Sequence, residues 1–324
     1  MAQAIVLHEP GAPAALQIED VKVGEPGMGE LRLRQTAIGV NFHDVYVRSG
    51  LYQTLPLPGI PGIEAVGVID AVGPGVEDFC VGDRVGYISP QYGAYATERI
   101  LRADLAIALP ASVDDRTAAA ALVKGLTVEM LTRKVHRVEA GDRILVHAAA
   151  GGVGQILCRK LKDIGATIIG TTGSEEKAAV ARAAGCHQVI LYREEDFVAR
   201  VNDLTEGRGV NIVYDSVGKD TFRGSLECLA VRGHLVNFGQ SSGSVPPFDV
   251  SRLAARSNTV SRPILFHYLA ERSERDVLAA ALFDALGRGI LPIAIGRSFP
   301  LAQASAAHEE LESRQAVGSI VLLP

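Results

Sequence analysis

The sequence predicts an α/β protein with a doubly wound parallel sheet and a second, β-rich domain. Short apolar or alternating runs broken by Gly and Pro fill the first 110 residues, a pattern typical of half-buried strands. From residue 143, strand-like runs alternate with helical ones, which indicates parallel strands covered by helices on both faces. The chain of 324 residues is longer than one hydrophobic core usually spans, so we expect two domains.

The β-rich part comes first. Its predicted strands are AIVLHEP, LRLRQTAIGV, EAVGVIDAVG, DRVGYI and AYATERIL. The periodicity changes near Pro110, where SVDDRTAAAALVKGLTVEMLTRKV predicts a helix. Ser112 is its expected N-cap, and Asp115 follows three residues later, a start that is similar to a capping box.

Strands and helices alternate after this helix. The predicted strands are RILVHAA, ATIIGTT, QVILY, NIVYDS and HLVNFG, with NTVSRPILF as a sixth. The helical stretches are VGQILCRKLKDIG, SEEKAAVARAAG, EEDFVARVNDLT and TFRGSLECLAVRG, and Gly165, Gly185 and Gly233 are expected just after helix ends. The tail adds a helix, RDVLAAALFDALGRG, and a short strand, GSIVLLP. We therefore predict a β-rich domain of residues 1–123 with 268–324 and a parallel-sheet domain of residues 124–267.

Charge and composition argue against several classes of function. The net charge of −5 disfavours a general binder of nucleic acid or of anionic membranes, because both favour a basic surface. No apolar run approaches the roughly 20 residues that span a bilayer, and MAQAIVLHEPG at the N-terminus lacks the features of a secretory signal. The four cysteines are far apart in the sequence without a C-x-x-C pair. We therefore expect a cytoplasmic protein with reduced thiols.

A glycine cluster follows the first strand of the parallel-sheet domain. In HAAAGGVGQ, Ala148, Gly151 and Gly154 form a variant of the dinucleotide fingerprint, with Ala in place of the usual first Gly and an additional Gly152. Such loops contain glycine because a pyrophosphate lies against bare backbone N–H groups at the start of a helix. The position between a predicted strand and a predicted helix indicates a Rossmann-type nucleotide-binding domain.

The loop after the next strand indicates which nucleotide binds. A chain that binds NAD through its ribose usually has Asp or Glu at the end of this strand, whereas here residues 171–174 are TTGS. Small polar side chains leave room for a 2′-phosphate, and Lys177 adds a cation in the first turn of the following helix. Tyr192, at the end of the third strand, could close the other side of the pocket. We therefore expect NADPH rather than NADH, although Lys177 alone is equally consistent with a solvated surface charge.

The layout of a β-rich front domain, a nucleotide domain and a return segment resembles the medium-chain dehydrogenase/reductase superfamily, whose front domain is GroES-like. PGIPGIEAVGVIDAVGPGV followed by GDRV looks like its front-domain signature. In many zinc-dependent members a His precedes the Glu of this motif and binds the catalytic zinc, whereas here that position is Ile63. Asn41 replaces their catalytic Cys, and the cysteine cluster for structural zinc is missing. We therefore expect no metal, with His43 beside Asp44 interpreted as a hydrogen-bonded loop histidine.

Within that superfamily the sequence resembles the zinc-free NADPH:quinone oxidoreductase, or zeta-crystallin-like, branch. The matching segments span essentially the whole chain and are NFHDVYVRSGLY, KGLTVEMLTRK, HAAAGGVGQ, YREEDF, VYDSVG and ESRQAVGS. The resemblance implies a homodimer joined near NTVSRPILF, and a nicotinamide pocket lined by Asn41, Tyr46 and Tyr52. It also implies that NADPH contacts residues from both domains, namely Tyr46, Thr127, Gly151, Gly152, Val153, Gly154, Gly173, Ser174, Lys177, Tyr192, Val217, Phe238, Gly239, Gln240 and Ser241.

Without zinc the substrate must supply its own electrophilicity, because a metal normally polarises a ketone as a Lewis acid. A quinone meets this requirement, since hydride addition produces an aromatic ring. We therefore predict NADPH-dependent reduction of quinones, with Asn41, Tyr46 and Tyr52 as donors to the developing oxyanion. Two alternatives remain open: a double-bond reductase of enones or alkenals, and an NADPH-binding structural or regulatory protein with little turnover.

Overall fold

The β-rich pattern and the alternating strand–helix pattern of the sequence form two large sheets, one in each of two structural units. The computed structural model describes residues 1–313 and 318–324 of the chain. The first unit consists of Met1–Leu126, Tyr268–Arg288 and Ile293–Pro324, and the second unit consists of Thr127–His267 and Gly289–Pro292. The predicted α/β class, with a parallel sheet and a separate β-rich sheet, is confirmed.

Antiparallel pairing dominates the first unit. A two-stranded sheet pairs Ala2–Leu7 (β1) with Leu16–Val21 (β2). The strands of the larger sheet are Glu30–Val40 (β3), Glu64–Val72 (β4), Arg84–Ile88 (β5), Glu98–Arg102 (β6), Ala106–Ala108 (β7), Ile295–Pro300 (β14) and Ser319–Leu323 (β15). Their order is β14-β15-β3-β4-β5-β7, with β6 also paired to β3. The C-terminal strand β15 therefore lies between β14 and β3.

The helices of the first unit include one whose predicted start is wrong. They are Phe42–Arg48 (α1), most of Asp115–Met130 (α2), Arg272–Gly287 (α8) and Ala304–Glu312 (α9). Instead of Ser112, Asp114 caps α2, and its Oδ1 accepts the N–H of Thr117 at 3.0 Å. Asp114 directly precedes the helix, and a carboxylate there also complements the helix dipole, which explains why it caps the helix rather than the more distant Ser112.

All neighbouring strands in the six-stranded sheet of the second unit are parallel. They are Arg143–Val146 (β8), Thr167–Thr172 (β9), Gln188–Leu191 (β10), Val210–Asp215 (β11), Leu229–Asn237 (β12) and Thr259–Ser261 (β13). The order β10-β9-β8-β11-β12-β13 is that of a doubly wound nucleotide-binding sheet. The helices that follow β8 to β11 and then β13 are Gly152–Ile164 (α3), Glu175–Ala183 (α4), Phe197–Leu204 (α5), Phe222–Glu227 (α6) and Leu265–Tyr268 (α7).

Two of the three predicted helix-ending glycines are confirmed. Gly165 and Gly185 have φ angles of 94° and 114°, left-handed values that glycine adopts without strain. The prediction for Gly233 is wrong, because α6 ends at Glu227 and Gly233 lies inside β12, whose apolar side chains are drawn into the buried sheet. The strand predicted in NTVSRPILF is shorter than expected, since Pro263 lacks an N–H for pairing and α7 begins shortly after it.

The cysteines are free thiols, as predicted. Cys80 is exposed, while Cys158, Cys186 and Cys228 are buried. Although Cys158 and Cys186 are far apart in the sequence, their Sγ atoms are 3.4 Å apart. This contact and burial raise the pKa of the Cys158 thiol, so it stays protonated at neutral pH.

A glycine in β3 allows two other elements of the first unit to approach that strand closely. A Cβ atom at Gly39 would lie 2.1 Å from the Glu64 carboxylate and 2.5 Å from the backbone oxygen of Ala119. Glu64 is fully buried at the start of β4, and Ala119 is on α2. The missing side chain at residue 39 therefore determines how closely the carboxylate and α2 pack against β3.

We predict that Gly39→Ala lowers the free energy of unfolding by about 3 kcal/mol, in the upper range for an overpacked core. Gly287→Ala is the control, because a Cβ atom there meets nothing within 4 Å and Ala is favoured over Gly in a helix. Urea unfolding should show the control to be as stable as the wild type or slightly more stable. Equal stability of the two variants would contradict the close approach.

Candidate nucleotide and substrate site

Five parallel strands of the second unit end at one edge of its sheet. Their last residues are Val146, Thr172, Leu191, Asp215 and Asn237. The loops and first helical turns that follow carry nearly all of the predicted nucleotide-binding residues, namely Gly151, Gly152, Val153, Gly154, Gly173, Ser174, Lys177, Tyr192, Val217, Phe238, Gly239, Gln240 and Ser241. The structure gathers this set at the edge where open parallel sheets bind ligands. Of the other two residues, Thr127 lies on α2 and Tyr46 lies on α1 of the first unit.

The loop after β8 presents backbone N–H groups at the start of a helix. Helix α3 begins at Gly152, and its N-cap, Gly151, has no side chain to accept from the first N–H groups. A Cβ atom at Gly154 would lie 2.3 Å from the backbone oxygen of Ala148, so only glycine allows the loop to close this tightly. N–H groups at the positive end of a helix dipole form a cradle for a phosphate anion.

Ala148 takes the place of the first glycine of the usual fingerprint, and its backbone is strained. Its φ is 53°, a left-handed value that costs a residue with a Cβ atom about 1–2 kcal/mol. Its carbonyl accepts the N–H of Gly151 at 2.9 Å, which closes the turn. The loop therefore has a glycine-type backbone conformation at an alanine.

We predict that Ala148→Gly raises the free energy of unfolding by up to about 1 kcal/mol, because relief of strain exceeds the added entropy of the unfolded chain. Ala149→Gly is the matched control, since the φ of Ala149 is not positive. That variant should lose about 0.5–1 kcal/mol. Thermal unfolding compares the two, and an equal loss in both would show that Ala148 is unstrained.

A buried histidine connects the base of the glycine loop to the end of β9. His147 Nδ1 lies 3.0 Å from Thr171 Oγ1, and Nε2 lies 2.9 Å from Ser225 Oγ. The Ser225 hydroxyl donates to the Thr221 carbonyl at 2.8 Å, so it accepts from the Nε2–H, and Thr171 donates to Nδ1. Burial lowers the pKa of His147, which keeps the neutral form that this arrangement needs. Sequence reasoning missed this residue, although it directly precedes the glycine cluster.

The loop after β9 carries the residues predicted to select the nucleotide. Ser174 caps α4, with its Oγ accepting the Lys177 N–H at 3.4 Å, and this places Lys177 in the first turn. A Cβ atom at Gly173 would lie 2.9 Å from the Tyr192 hydroxyl and 3.3 Å from Arg193 Nε. The loop therefore also adjoins a second cation, Arg193, that was not predicted from the sequence. Hydroxyl and cationic groups of this kind suit a phosphate.

A buried aspartate connects the loops after β11 and β12. Asp215 Oδ1 accepts the N–H of Val217 and the hydroxyl of Thr221, both at 2.8 Å. The Asp215 carbonyl accepts the N–H of Phe238 at 2.9 Å, and Asn237 Nδ2 donates to Oδ2 at 3.2 Å. These bonds fix the backbone of both loops. The motif VYDSVG was noted in the sequence, but no role was predicted for its aspartate.

Tyr46 and Tyr52 pack against each other in the first unit. Their ring centroids are 5.1 Å apart, and the His43 ring lies 5.4 Å from Tyr52. His43 Nε2 is 3.2 Å from the hydroxyl of Tyr92, which also bonds the hydroxyl of Thr54. Burial lowers the pKa of His43 to about 4, so the imidazole is neutral at pH 7. His43 is hydrogen-bonded as expected but lies in α1 rather than in a loop, and Tyr92 was not predicted.

Asn41, the N-cap of α1, is held by three buried ionisable groups. Its backbone N–H donates to Asp44 Oδ2 at 2.8 Å. Its Nδ2 donates to Glu64 Oε1 at 2.7 Å, and its Oδ1 accepts from Lys124 Nζ at 3.1 Å. Sequence reasoning expected the side-chain amide to face a substrate, whereas Glu64 already uses one of its two N–H bonds. The second N–H is what the amide can offer to a ligand.

Asp44 lies next to a buried tyrosine and histidine. The Tyr95 hydroxyl donates to Asp44 Oδ2 at 3.1 Å and lies 3.0 Å from His308 Nε2. Burial raises the pKa of Asp44 to about 7 and lowers the pKa of His308 to about 3. His308 therefore stays neutral over the pH range in which Asp44 titrates.

The pH dependence of stability should report the protonation of Asp44. Its pKa rises from an ordinary value of 3.8 to about 7 on folding, so its stabilising contribution is present below about pH 4 and is lost as the pH rises to about 7. Asp44→Asn removes this titration and keeps an oxygen acceptor. In urea unfolding across that window, the wild type should lose free energy of unfolding relative to the variant. A difference that does not change with pH would contradict this assignment.

The positions that the family resemblance links to catalytic zinc carry other kinds of side chain. Ile63 is buried and apolar, and Asn41 is bonded as described above. Within residues 1–313 and 318–324, no three His, Cys, Asp or Glu side chains converge as a metal site requires. In the same part of the chain, no helix is long and apolar enough to span a bilayer. Zinc independence stays a prediction.

Two families of known domains match the chain. The family described as Alcohol dehydrogenase GroES-like domain matches residues 27–111, and the family described as Zinc-binding dehydrogenase matches residues 152–281. With the doubly wound sheet and its glycine loop, these matches define the class as a medium-chain dehydrogenase/reductase.

Full-length relatives narrow this class. The chain is 45% identical to 2-haloacrylate reductase of a Burkholderia species, over 100% of this chain and 99% of that protein. It is 42% identical to quinone oxidoreductase 1 of Escherichia coli strain K12, over 100% of both. The crystal structure of the Escherichia coli quinone oxidoreductase complexed with NADPH matches with a TM-score of 0.97 and 42% identity, over 99% of this chain and 100% of that chain. The chain belongs to the quinone oxidoreductase family, which confirms the predicted resemblance, although residues 314–317 of ESRQAVGS lie outside the described residues.

Proposed function

We propose that this chain is an NADPH-dependent quinone reductase that transfers hydride without zinc. The nucleotide edge of the second unit carries the proposal: a glycine loop is followed by a loop with Ser174 and Lys177 where NAD-binding chains usually have an acid. The relative crystallised with NADPH supports the same nucleotide here. The enzyme class rests on the 42% identity to a quinone oxidoreductase over the whole chain.

The second unit fits the phosphate groups of NADPH by its chemistry. The N–H groups of residues 151–154 would bind the pyrophosphate at the start of α3. The ammonium of Lys177, with Gly173 and Ser174, would bind the 2′-phosphate. Tyr192, whose side chain is 44% exposed and lies over Gly173, would cover the adenine side. A side chain at residue 173 would crowd the Tyr192 hydroxyl, which is why glycine suits this position.

The nicotinamide half of the cofactor would use a different set of residues. Thr127, Val217 and residues 238–241 of the second unit would bind it. When bound, the nicotinamide supplies the hydride. The bonds from Asp215 to the loops after β11 and β12 hold the backbone that this half needs, so Asp215 belongs to the same set.

Asn41, Tyr46 and Tyr52 are the proposed donors to the substrate oxygen. Hydride addition to a quinone leaves negative charge on one oxygen, and donors placed there in advance stabilise the transition state. The rings of Tyr46 and Tyr52, which pack edge to face at 65°, also provide aromatic surface for a planar acceptor. With Ile63 and Asn41 at the positions linked to zinc, the substrate's own electrophilicity replaces a Lewis acid.

Reduction of an activated double bond is the second candidate. The 45% identity to a 2-haloacrylate reductase favours it, and both reactions add hydride to a conjugated acceptor. A haloacrylate carries a carboxylate, however, and the imidazole of His43 beside Tyr52 is neutral because burial lowers its pKa to about 4. This part of the first unit suits an uncharged acceptor better.

We further propose the assembly and location of the enzyme. Residues 1–123 with 268–324 would form the substrate domain, and residues 124–267 the nucleotide domain.

The edge strand β13 would pair two copies into a homodimer, since Val231 and Ile264 are exposed apolar residues in the same unit. We place the enzyme in the cytoplasm because reduced thiols are stable there. Light scattering at micromolar concentration tests the dimer, and a monomer mass would exclude it.

Lys177→Ala should weaken NADPH binding while leaving NADH binding nearly unchanged. Loss of a charge-assisted hydrogen bond to phosphate costs roughly 1.5–3 kcal/mol, which corresponds to a Kd about 10–100 times higher. Lys162→Ala is the control, because Lys162 is an exposed lysine on α3. Fluorescence titration with both nucleotides measures the effect. An equal loss for both nucleotides would exclude the role in binding the 2′-phosphate.

A substrate panel tests the reaction. NADPH oxidation should be fastest with 1,4-benzoquinone, slower with an acyclic enal and slowest with 2-chloroacrylate. The rate with benzoquinone should survive extended dialysis against a strong chelator. A preference for 2-chloroacrylate would favour the double-bond reductase, and no turnover with any acceptor would favour the structural or regulatory alternative.

A further inference from the structure

Two buried charges of the first unit meet at the side chain of Asn41. Lys124 Nζ donates to Asn41 Oδ1 at 3.1 Å, and Asn41 Nδ2 donates to Glu64 Oε1 at 2.7 Å. The side chains of Lys124 and Glu64 are 8% and 0% exposed, and their charged ends are 3.9 Å apart. The amide therefore lies between a cation and an anion in a region shielded from water.

The hydrogen bonds suit the charged form of both groups, against burial, which raises the pKa of Glu64 and lowers the pKa of Lys124. Glu64 Oε1 accepts from Asn41, and Oε2 accepts the N–H of Val123 at 2.7 Å. Both oxygens act as acceptors, which is the pattern of an ionised carboxylate. Lys124 Nζ lies near acceptors only, since its third neighbour is the backbone oxygen of Val40 at 3.4 Å. That is the pattern of an ammonium, and each charge offsets the cost of burying the other.

We propose that Lys124 and Glu64 are positioning residues for hydride transfer, with both charges orienting the Asn41 amide and Lys124 polarising it, an inference that rests on the proposed role of Asn41 as a donor to the substrate oxygen. A flipped amide would bring Oδ1 to the Glu64 carboxylate and NH₂ to the ammonium, so the two charges allow one orientation only. The ammonium draws electron density toward Oδ1, and the second N–H of Nδ2 becomes a stronger donor.

Other ionisable groups pack around the same residue and leave this assignment unchanged. Asp44 bonds the backbone N–H of Asn41 rather than its side chain. The Tyr95 hydroxyl bonds Asp44, and His308 bonds that hydroxyl, so these groups do not bond the amide. The charged groups that bond the side-chain amide are therefore one cation and one anion.

The double variant K124M/E64Q tests the proposal without leaving an uncompensated buried charge. The matched control is K160M/E129Q, because Lys160 and Glu129 form another buried ion pair, at 2.7 Å, away from Asn41. The measurement is kcat at saturating NADPH for a series of quinones of different reduction potential. We expect kcat to fall roughly 10-fold, less than the 10²–10³ for loss of an oxyanion donor itself. The loss should grow as the quinone becomes harder to reduce.

The dependence on reduction potential separates polarisation from a purely structural role. A steeper slope in K124M/E64Q, with the wild-type slope in the control and unchanged NADPH affinity, supports the proposal. A uniform loss with the wild-type slope overturns it. Asn41→Ala identifies a different failure: wild-type kcat and slope in that variant would refute the role of Asn41 in the proposed function.

A readout without turnover keeps the proposal testable if quinones are not the substrates. With ¹⁵N-labelled asparagine, the Asn41 side-chain amide should give a downfield, slowly exchanging N–H resonance in the wild type. That resonance should move upfield and exchange faster in K124M/E64Q, or in the single variant E64Q if the double variant does not fold. An unchanged resonance in a folded variant overturns the proposal whatever the substrate.

Discussion

Burial of the Glu64 carboxylate is the constraint on which the first unit depends. A carboxylate removed from water is costly unless it is paired and hydrogen-bonded. Its partners come from two places: Asn41 at the start of α1, and α2, which contributes the backbone of Val123 and the ammonium of Lys124. The close approach is possible because Gly39 on β3 lacks a side chain. Strand, helix and cap must therefore form together, and the same contacts that stabilise the unit also orient the proposed donor.

The second unit solves a different problem, because its site is made of backbone. Five loops have to keep their N–H groups and glycines in place at one sheet edge, and buried side chains hold these loops from behind. The neutral His147, directly after β8, bonds Thr171 near the end of β9 and Ser225 on α6. The carboxylate of Asp215 bonds the loops after β11 and β12. These buried polar groups hold each loop from the protein interior, so small residues can occupy the side of the loop that would face a ligand.

The sequence predicted the fold well because periodicity and glycine position are local signals. The alternation after residue 143 gave the parallel sheet, and Gly165 and Gly185 marked helix ends. The prediction for Gly233 was wrong because the apolar residues around it suit a buried strand as well as a helix, and only pairing with neighbouring strands distinguishes the two. The sequence could indicate candidate site residues only where they belong to a glycine-rich loop or to another motif. Lys124 and Arg193 were missed, because their importance depends on neighbours, Glu64 and Gly173, that are distant in sequence.

The order of strands has a consequence for the newly synthesised chain. All six strands of the second unit lie between residues 143 and 261, so that sheet has every strand once this segment has left the ribosome. The larger sheet of the first unit has to wait, because β15, which pairs with β3 through Ile320 and Val40, is translated after all six of these strands. Its β3 edge meanwhile exposes unpaired N–H and C=O groups, a feature that promotes association between chains. The parallel sheet of the second unit can thus be complete before the larger sheet of the first unit, and a chain that stalls late in synthesis would carry the one sheet intact and the other open.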